Sequence, residues 1–416
     1  MRVLWFSPNP SGYKFDNHSG SKTYGSWTSS LQSELIQRKD IIIGVCFIAE
    51  TQPNKVEQDG VIYYPVPNHR KTIWNKVMDV IFYKDVQRDE ITWPYYIEKF
   101  RKIIEDFHPD VIHVFGSELY MGLASFATNL PLVLHIQGIL NPSNDVYFPP
   151  GCSLRNHVLL DYNPFHIWKR YYNYVWWLRS CYRERMVIKQ TRHFIGRTDW
   201  DKRVTFVLNP EATYHFGEEI MRPLFYMAGK RIQPTEMIIN TVISLPYYKG
   251  FDLVLKTANL LKNNLHCKFV WNVYGNVDPK FAEKRLGLDH NNLDIVLHGV
   301  VTAETLCESH RNSTVYVHSS YIENGCNAII EAQMCSCPVI ANYVGGLSTT
   351  IKHGETGFLV PANDSYQTAY LINYLHTHRE MNKEIGEKAS KDAFNRHDKG
   401  VIVSELIKTY RSVMGI

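Results

Sequence analysis

Two carboxylates, Glu323 and Glu331, lie eight residues apart in a stretch whose pattern predicts a ligand site. Val315 to His318 is a strand-like apolar run, and a helix is expected from about Asn327, with Asn327 as its N-cap. Glu323 then falls in the loop before the helix and Glu331 about one turn into it. Because ligands bind beyond the carboxyl ends of parallel strands, both carboxylates are expected at the mouth of a binding site.

The start of that helix predicts an anion site between the two carboxylates. The first amides of a helix have no partner inside it and carry the positive end of its dipole. Here they lie near Gly325, Cys326 and Asn327, and Gly325 lets a ligand approach the backbone closely. A carboxylate accepts two hydrogen bonds from vicinal sugar hydroxyls. The arrangement favours a nucleotide-diphosphate sugar; the structural alternative is that Glu331 stabilises a helix N-terminus and Glu323 is a solvated loop acid.

The order of residues here resembles the donor-binding half of the family 4 retaining glycosyltransferases. From Glu323 it reads E-N-G-C-N-A-I-I-E-A-Q-M-C-S-C-P-V-I-A, followed by G-G and then H-G-E-T-G-F-L-V-P, within residues 314–361. The resemblance implies an α/β architecture of the GT-B type, in which two Rossmann-like domains with parallel sheets face each other across a cleft. It also implies that Glu331 holds the nucleotide ribose and that Glu323 contacts the transferred sugar.

A cation for the diphosphate is expected at Lys249, which stands directly before a predicted helix start. The resembled family has the same K-G pair, normally with an arginine five residues earlier. This chain has Ser244 there, so Lys249 is expected to act alone or with an arginine from elsewhere, Arg197 or Arg203.

The same resemblance assigns further donor-binding positions. The glycine-rich loop after the first strand lies against the diphosphate in that family, which implicates Gly20 and Ser21. Gly275 ends a predicted strand as it does in the family, and His298 takes the position that lines the nucleobase pocket.

Two histidines in predicted strands are expected to differ in role. His113 lies inside its strand and is interpreted as a core residue. His135 ends its strand and matches the family pattern strand-His-x-x-Gly, in which the imidazole faces the donor sugar. Arg197 ends a later strand, where it could meet a phosphate or pair with Asp199 or Asp201.

The bulk composition narrows the class of protein. A chain of 416 residues favours two domains, and 44% hydrophobic with 21% charged residues is typical of a soluble enzyme. A net charge of +4 gives no case for nucleic-acid binding. Eight scattered cysteines without a C-x-x-C motif argue against a structural zinc site or a disulfide framework and favour the cytoplasm. The N-terminus reads as a strand rather than a signal segment.

Alternating strand and helix patterns predict parallel α/β sheets. We place an N-terminal Rossmann-like domain at 1–215, a linker at 216–236 and a C-terminal Rossmann-like domain at 237–395. By resemblance the first domain serves the acceptor, the second binds the donor, and a last helix at 396–416 returns to the N-terminal domain. The glycines after the first strand do not follow G-x-G-x-x-G, which weakens a nicotinamide-dinucleotide interpretation.

A predicted helix at 165–190 is rich in tryptophan, tyrosine and basic residues. One interpretation is a basic amphipathic helix in a membrane interface, for example on the inner face of the plasma membrane. The other is a packed core helix with solvated bases.

Together these features predict a retaining glycosyltransferase that moves a sugar from a nucleotide-diphosphate sugar to a hydroxyl of a glycan or lipid-linked saccharide, in surface polysaccharide biosynthesis. His135, Glu323 and Lys249 are the predicted catalytic residues. No metal and no cofactor are expected. The D-x-D sequence of the chain, Asp199-Trp200-Asp201, opens a predicted helix. The alternatives are a GT-B sugar epimerase and a non-catalytic sugar-nucleotide-binding protein, the latter suggested by Ser244. An NAD-dependent oxidoreductase is a weaker third.

Overall fold

The structure is a computed structural model that describes residues 1–14, 26–49, 55–244 and 246–416. The expected donor-binding residues Gly20 and Ser21 lie outside these residues. The described chain divides into two compact units. The first comprises Met1–Asn144, Asp161–Ile220 and Asp398–Ile416, and the second comprises Asp145–Leu160 and Met221–His397.

The strands of the described residues belong to two sheets. They are β1 (Arg2–Phe6), β2 (Ile42–Ala49), β3 (Val56–Gln58), β4 (Val61–Pro67), β5 (Val111–Phe115), β6 (Leu132–His135), β7 (His193–Gly196), β8 (Thr213–Phe216), β9 (Met237–Val242), β10 (Phe269–Tyr274), β11 (Ile295–Gly299), β12 (Val315–His318), β13 (Val339–Asn342) and β14 (Phe358–Val360).

The helices alternate with these strands along the chain. They are α1 (Trp27–Leu35), α2 (Ile73–Ile81), α3 (Trp93–Phe107), α4 (Leu140–Asp145), α5 (Leu154–Val158), α6 (Pro164–Gln190), α7 (Asp199–Leu208), α8 (Pro223–Tyr226), α9 (Phe251–Asn263), α10 (Lys280–Leu286), α11 (Ala303–Arg311), α12 (Asn327–Met334), α13 (Leu347–Thr350), α14 (Ser365–Thr377), α15 (Arg379–Arg396) and α16 (Lys399–Met414). Short 3₁₀ helices lie at Val86–Thr92, Tyr120–Phe126, Tyr247–Lys249 and His290–Leu293.

The first unit is built on an eight-stranded sheet in the order β3-β4-β2-β1-β5-β6-β7-β8. Its strand pairs are parallel except for β3 with β4. The apolar strands are buried on both faces, as expected where helices cover a parallel sheet. The strand order reverses between β1 and β5, which is where open α/β sheets bind ligands.

The second unit has a six-stranded parallel sheet in the order β11-β10-β9-β12-β13-β14. Its strand order reverses between the neighbouring central strands β9 and β12. The apolar core lies between the sheet and its helices, with Trp271, Leu255 and Ile372 fully buried. The reversal places the loops that follow β9 and β12 side by side, so the sheet topology itself positions a ligand site.

The predicted domain boundaries differ from the observed units in two places. Residues 216–220, which the sequence placed in the linker, group with the first unit, and Phe216 ends strand β8 of its sheet. Residues 145–160, which the sequence placed in the first domain as a loop, contain α5 and group with the second unit. Within that unit the His157 ring lies 5.2 Å from the Tyr247 ring, and aromatic packing of this kind has no periodic sequence signal. The last helix, α16, groups with the first unit.

The buried residues of helix α6 lie from Val175 onward, and its bases are not all solvated as the packed-helix interpretation expected. Arg183 is fully buried, and its Nη1 lies 2.8 Å from Asp89 Oδ2. Arg179 is likewise buried and paired with Asp79. Near the start of the helix Phe165 remains 67% exposed. Among the described residues, no helix is both long enough and apolar enough to cross a bilayer.

Candidate functional site

The predicted chemistry-bearing residues of the second unit gather where its strand order reverses. Lys249 follows β9 at the end of a short 3₁₀ helix, and Glu323 follows the adjacent β12. The Lys249 Nζ atom lies 2.7 Å from Glu323 Oε2. Both side chains are largely buried, with 24% and 14% of their surfaces exposed. The structure therefore brings together two residues that are far apart in the sequence.

Glu323 is the centre of a small polar network. Its Oε2 also lies 3.1 Å from His318 Nε2 and 3.4 Å from the Ser320 hydroxyl, which donates to it. His318 is the last residue of β12, and its Nδ1 lies 3.7 Å from the Cys326 sulfur. A buried carboxylate is stabilised by such donors because they replace the water that it loses.

The network shifts the protonation of its members. Burial alone would raise the pKa of Glu323, but Lys249 and His318 lower it well below its usual range. Burial would lower the pKa of Lys249, but the Glu323 carboxylate raises it. For His318 burial again opposes protonation, yet Cys326 and Glu323 raise its pKa to about 9. At neutral pH the centre is thus a carboxylate between two cations.

Close backbone approaches hold Glu323 in place. The Gly346 N–H donates to the Glu323 carbonyl over 3.0 Å. Gly345 has φ +52°, and a Cβ there would lie 1.8 Å from the same carbonyl oxygen. Gly250 has φ +80°, and its Cβ would lie 2.0 Å from the Ser319 carbonyl oxygen. These two glycines let the loops after β9, β12 and β13 meet.

Glu331 lies on α12 and has a partner that the sequence did not reveal. Arg222 donates through Nε to Glu331 Oε1 over 2.8 Å, and its Nη2 lies 2.7 Å from the same oxygen. Burial raises the pKa of Glu331 to about 7, against the opposing effect of Arg222. The N-cap of α12 is Cys326, in an extended conformation, rather than Asn327, which is the first helical residue. Gly325 is buried in the loop just before.

Gly275 and His298 occupy the ends of β10 and β11. Gly275 has φ +107°, and a Cβ there would lie 2.0 Å from the Ile243 carbonyl oxygen, so glycine is required by the close approach to the end of β9. The His298 Nε2 lies 2.8 Å from Asn272 Oδ1, and its ring stacks on Tyr274 at 4.8 Å. Both residues therefore lie at the carboxyl ends of their strands, as the sequence predicted.

An arginine of α10, Arg285, lines a cavity together with Ser244, the residue that replaces the arginine of the resembled family. Ser244, Lys249 and Arg285 line one cavity of about 30 Å³. The sequence had proposed Arg197 or Arg203 as substitutes for the missing arginine. Both lie in the first unit, where Arg203 is exposed. Arg285, in contrast, belongs to the second unit and pairs with Asp252.

In the first unit, His135 ends β6 and is 2% exposed. Among the described residues, neither of its ring nitrogens has a hydrogen-bond partner. Burial, followed by the nearby Arg197, lowers its pKa to about 3, so the ring is neutral at pH 7. His113 is confirmed as a core residue, fully buried with Nδ1 2.7 Å from the Tyr410 hydroxyl. An unpaired buried imidazole is costly, which marks His135 as a ligand-binding candidate.

Arg197 forms an ion pair that the sequence did not anticipate. Its Nη1 lies 3.0 Å from Glu219 Oε2, and both side chains are almost fully buried. Of the two predicted partners, Asp201 accepts a hydrogen bond from the Arg197 backbone amide over 3.2 Å. The guanidinium charge is therefore balanced within the first unit.

Sequence reasoning also missed Glu118, which follows β5 at the strand-order reversal of the first sheet. Its Oε1 accepts the Gly138 N–H over 2.8 Å, in the loop after His135. Burial, with the nearby Glu184, raises its pKa to about 7. Its position directly after a predicted strand end could have identified Glu118 as a candidate. No sequence pattern identifies Arg222, the partner of Glu331.

Among the residues that the structure describes, two clusters have the residue types to hold a metal ion. The ligand atoms of His318, Glu323 and Cys326 lie within 4.8 Å of one another, as do those of Glu283, Asp289 and His290. The first cluster includes the carboxylate oxygen that Lys249 contacts, so a metal there would compete with the ammonium group. Metal independence stays a prediction.

Part of the chain matches known glycosyltransferases in sequence. Residues 225–392 match the family model described as glycosyl transferases group 1. The chain is 31% identical to D-inositol 3-phosphate glycosyltransferase of Pseudarthrobacter chlorophenolicus over 153 residues, 35% of this chain and 36% of that protein. It is 31% identical to the capsular polysaccharide biosynthesis glycosyltransferase CapM of Staphylococcus aureus over 105 residues, 25% of this chain and 28% of that protein. The matches thus span about a third of these relatives.

Solved structures are similar over the full chain. Sucrose-phosphate synthase of Thermosynechococcus elongatus superposes with a TM-score of 0.73 at 14% identity, covering 100% of this chain and 99% of that one. Anabaena HepE in complex with UDP and glucose gives a TM-score of 0.64 at 15% identity, covering 99% and 100%. The chain has the GT-B fold, and the residues that match the glycosyl transferases group 1 model lie in its second unit.

Gly345→Ala is expected to destabilise the second unit by about 2 kcal/mol or more, because the new methyl group meets the Glu323 carbonyl and a left-handed conformation is unfavourable for alanine. Gly287→Ala is the matched control, since Gly287 has φ +64° with open space around its Cβ position. It should cost only the conformational part, about 1 kcal/mol. Urea unfolding measures both, and equal losses would contradict the packing argument.

The His318 pKa predicts a pH-dependent stability. A histidine whose folded-state pKa is raised stabilises the fold fully below its unfolded value, near pH 6.5, and loses this contribution as the pH rises through about 9. From pH 6 to pH 9.5 the wild type should lose up to about 3 kcal/mol more unfolding free energy than His318→Asn. Parallel pH curves in urea unfolding would show that His318 is not held protonated.

Proposed function

We propose that the chain is a family 4 type retaining glycosyltransferase that moves a sugar from a nucleotide-diphosphate sugar to a hydroxyl of a glycan or lipid-linked saccharide. The observation that carries the proposal is the buried Lys249–Glu323 pair at the strand-order reversal of a glycosyl transferases group 1 domain. Such a site combines a cation for a diphosphate with a carboxylate for sugar hydroxyls.

Lys249 serves the leaving group in this proposal. Cleavage of the bond between the anomeric carbon and the phosphate oxygen places negative charge on the departing diphosphate, and preorganised positive charge stabilises it. An ammonium group has three N–H donors, so Lys249 keeps donors for phosphate oxygens while paired with Glu323. The start of α12 near Gly325, Cys326 and Asn327 adds the positive end of a helix dipole.

The carboxylates and the histidine orient the sugar and the nucleotide. Glu323 is ionised and accepts hydrogen bonds from hydroxyls of the transferred sugar, and Glu331 accepts those of the ribose. His135 is neutral at pH 7, so it accepts one hydrogen bond and donates another rather than acting as a strong base. With no carboxylate nucleophile assigned behind the sugar, the leaving diphosphate takes the acceptor proton and the anomeric configuration is retained.

Surface polysaccharide biosynthesis is the proposed setting. It is supported by the name of CapM, a capsular polysaccharide biosynthesis enzyme, and by the UDP and glucose bound to the structurally similar HepE. The reaction is proposed to need no metal and no cofactor. The Lys249 ammonium group already contacts the Glu323 oxygen that a metal ion would bind, and it supplies the positive charge for the diphosphate. The proposed location is the cytoplasm.

A contact with the membrane surface would bring a lipid-linked acceptor to the enzyme. In the first unit, Phe165 and Trp168 of α6 are 67% and 37% exposed, and Trp74 of the neighbouring α2 is 68% exposed. Lys76 and Lys169 lie close to these rings in the sequence, and exposed aromatic rings near basic residues favour an interfacial location. Trp177, in contrast, is buried and donates to Asn144 Oδ1 over 3.1 Å, so it serves packing.

A second candidate is a GT-B protein that binds nucleotide sugars without turnover. Ser244 in place of the usual arginine is the observation that favours it. The two candidates differ in one outcome, since a binding protein takes up the donor without releasing the nucleotide. A sugar epimerase on the same fold would instead change the sugar without an acceptor.

Nucleotide release from a panel of UDP-, GDP-, ADP- and dTDP-sugars tests the proposal. The wild type should release nucleotide from one donor in the presence of a saccharide acceptor, equally with and without EDTA. Glu323→Gln should lower kcat about 100-fold or more through loss of sugar orientation. Glu331→Ala should mainly raise KM. NMR of the product should show the donor's anomeric configuration.

Glu355→Gln is the matched control, because Glu355 is an exposed acid of the same unit. Donor binding without release in every acceptor mixture would favour the binding protein. Full activity of Glu323→Gln would remove Glu323 from the mechanism, and loss of activity in EDTA with recovery on added Mn²⁺ would exclude metal independence.

Co-sedimentation with vesicles that contain anionic lipid tests the membrane contact. The double variant Trp74→Ser, Trp168→Ser should reduce the bound fraction about tenfold, because two interfacial rings are removed. Tyr366→Ser is the control, since Tyr366 is 75% exposed in the second unit. Equal binding of both variants, or no binding of the wild type, would contradict the contact.

A further inference from the structure

A large cavity of the second unit lies outside the site described above. It has a volume of about 410 Å³ and lies between helices α5 and α10. Helix α5 belongs to residues 145–160, which group with the second unit although residues 161–220 do not. This volume is within the range of small-molecule sites, about 300 to 1,000 Å³. Three cations line it, Arg155 from α5 and Lys284 and Arg285 from α10.

The charge of this basic cavity is unbalanced. None of the described residues that line it carries a carboxylate. Arg285 is partly neutralised, since its Nη1 lies 3.4 Å from Asp252 Oδ2. Among the described residues, the Arg155 guanidinium has no hydrogen bond or ion pair. The three residues are exposed, so solvent partly screens the repulsion between their charges, and a bound anion relieves the rest.

Two of the cations also have a structural role. Lys284 donates to the Leu160 carbonyl over 2.8 Å, and Arg285 donates to the Pro150 carbonyl. These bonds fasten residues 145–160 to α10. They use one of the three N–H donors of Lys284 and leave several on the guanidinium of Arg285. Arg155 makes no such bond, and its exposed guanidinium is available to a ligand in the cavity.

The other residues that line the cavity are polar and apolar, as a binding site for a sugar ring with an anionic substituent requires. Asn156 offers an amide, which can donate and accept hydrogen bonds with hydroxyls. Leu159 and Phe281 supply apolar surface. A phosphate ion alone would leave much of the volume unfilled. A sugar ring that bears the anionic group would fill it.

We propose that this basic cavity binds an anionic saccharide, with its phosphoryl or carboxylate group held by Arg155, Lys284 and Arg285. Planar guanidinium groups bind such oxyanions through paired N–H donors. The site is separate from Lys249 and Glu323, although Arg285 and Phe281 also line the small cavity beside Lys249. The proposal does not depend on glycosyl transfer.

Isothermal titration of the full chain with glucose 6-phosphate, glucuronate, inorganic phosphate and glucose tests the site. At low salt, glucose 6-phosphate should bind at least tenfold more tightly than glucose, and also more tightly than inorganic phosphate. Stronger binding of glucuronate would identify a carboxylate as the preferred group. No difference between the charged sugars and glucose would overturn the proposal.

Variants locate the binding and separate it from the donor site. Arg155→Gln should weaken glucose 6-phosphate binding about tenfold without loss of folding, because Arg155 fastens nothing. Lys280→Gln is the control on α10, since Lys280 is exposed and does not line the cavity. Lys249→Ala should also leave binding within about twofold.

The opposite pattern would overturn the proposal. Binding that survives Arg155→Gln and disappears in Lys249→Ala would place the phosphate at the proposed diphosphate site. Failure of nucleotide release with intact binding in the basic cavity would reject the proposed function alone. The two hypotheses therefore fail separately.

Discussion

The Lys249 ammonium and the Glu323 carboxylate lie 2.7 Å apart in a largely buried place, and much of the second unit is arranged around this contact. Two buried charges are unfavourable unless they pair and their remaining donors and acceptors are used. The pairing requires that β9 and β12 be neighbours, that Gly250 and Gly345 allow backbones to meet, and that His318 supply a second cation. The strand-order reversal satisfies the first condition.

The same unit holds two glutamates in different electrostatic states. Glu323 lies between two cations, which lower its pKa. Glu331 has only Arg222, and burial raises its pKa to about 7. The difference arises from the number of donors rather than from exposure, because both are largely buried. The second unit thus holds one carboxylate with a fixed negative charge and one carboxyl group that changes its protonation near neutral pH.

Local sequence patterns predicted the elements around the site closely. Strand β12 has the predicted bounds, and helix α12 begins within one residue of the predicted position, because a short apolar run and a clear helix start mark them. The same patterns failed for residues 145–160. A stretch with several prolines and a glycine reads as a loop, and its aromatic side chains gain a partner surface only from the folded second unit. Strand β8 was missed because its residues are mostly half-buried or exposed at a sheet edge.

The sequence by itself determined the two parallel α/β sheets, the strand-end positions of His135, Gly275 and His298, and the spacing of Glu323 and Glu331. These follow from periodicity and from local backbone rules that act over a few residues. Only the tertiary structure decided which charges meet. Arg222 with Glu331, Arg197 with Glu219 and Lys249 with Glu323 are contacts between separate elements. These ion pairs form because the strand order of each sheet brings separate segments together. A local sequence pattern, which covers only a few residues, does not specify that order.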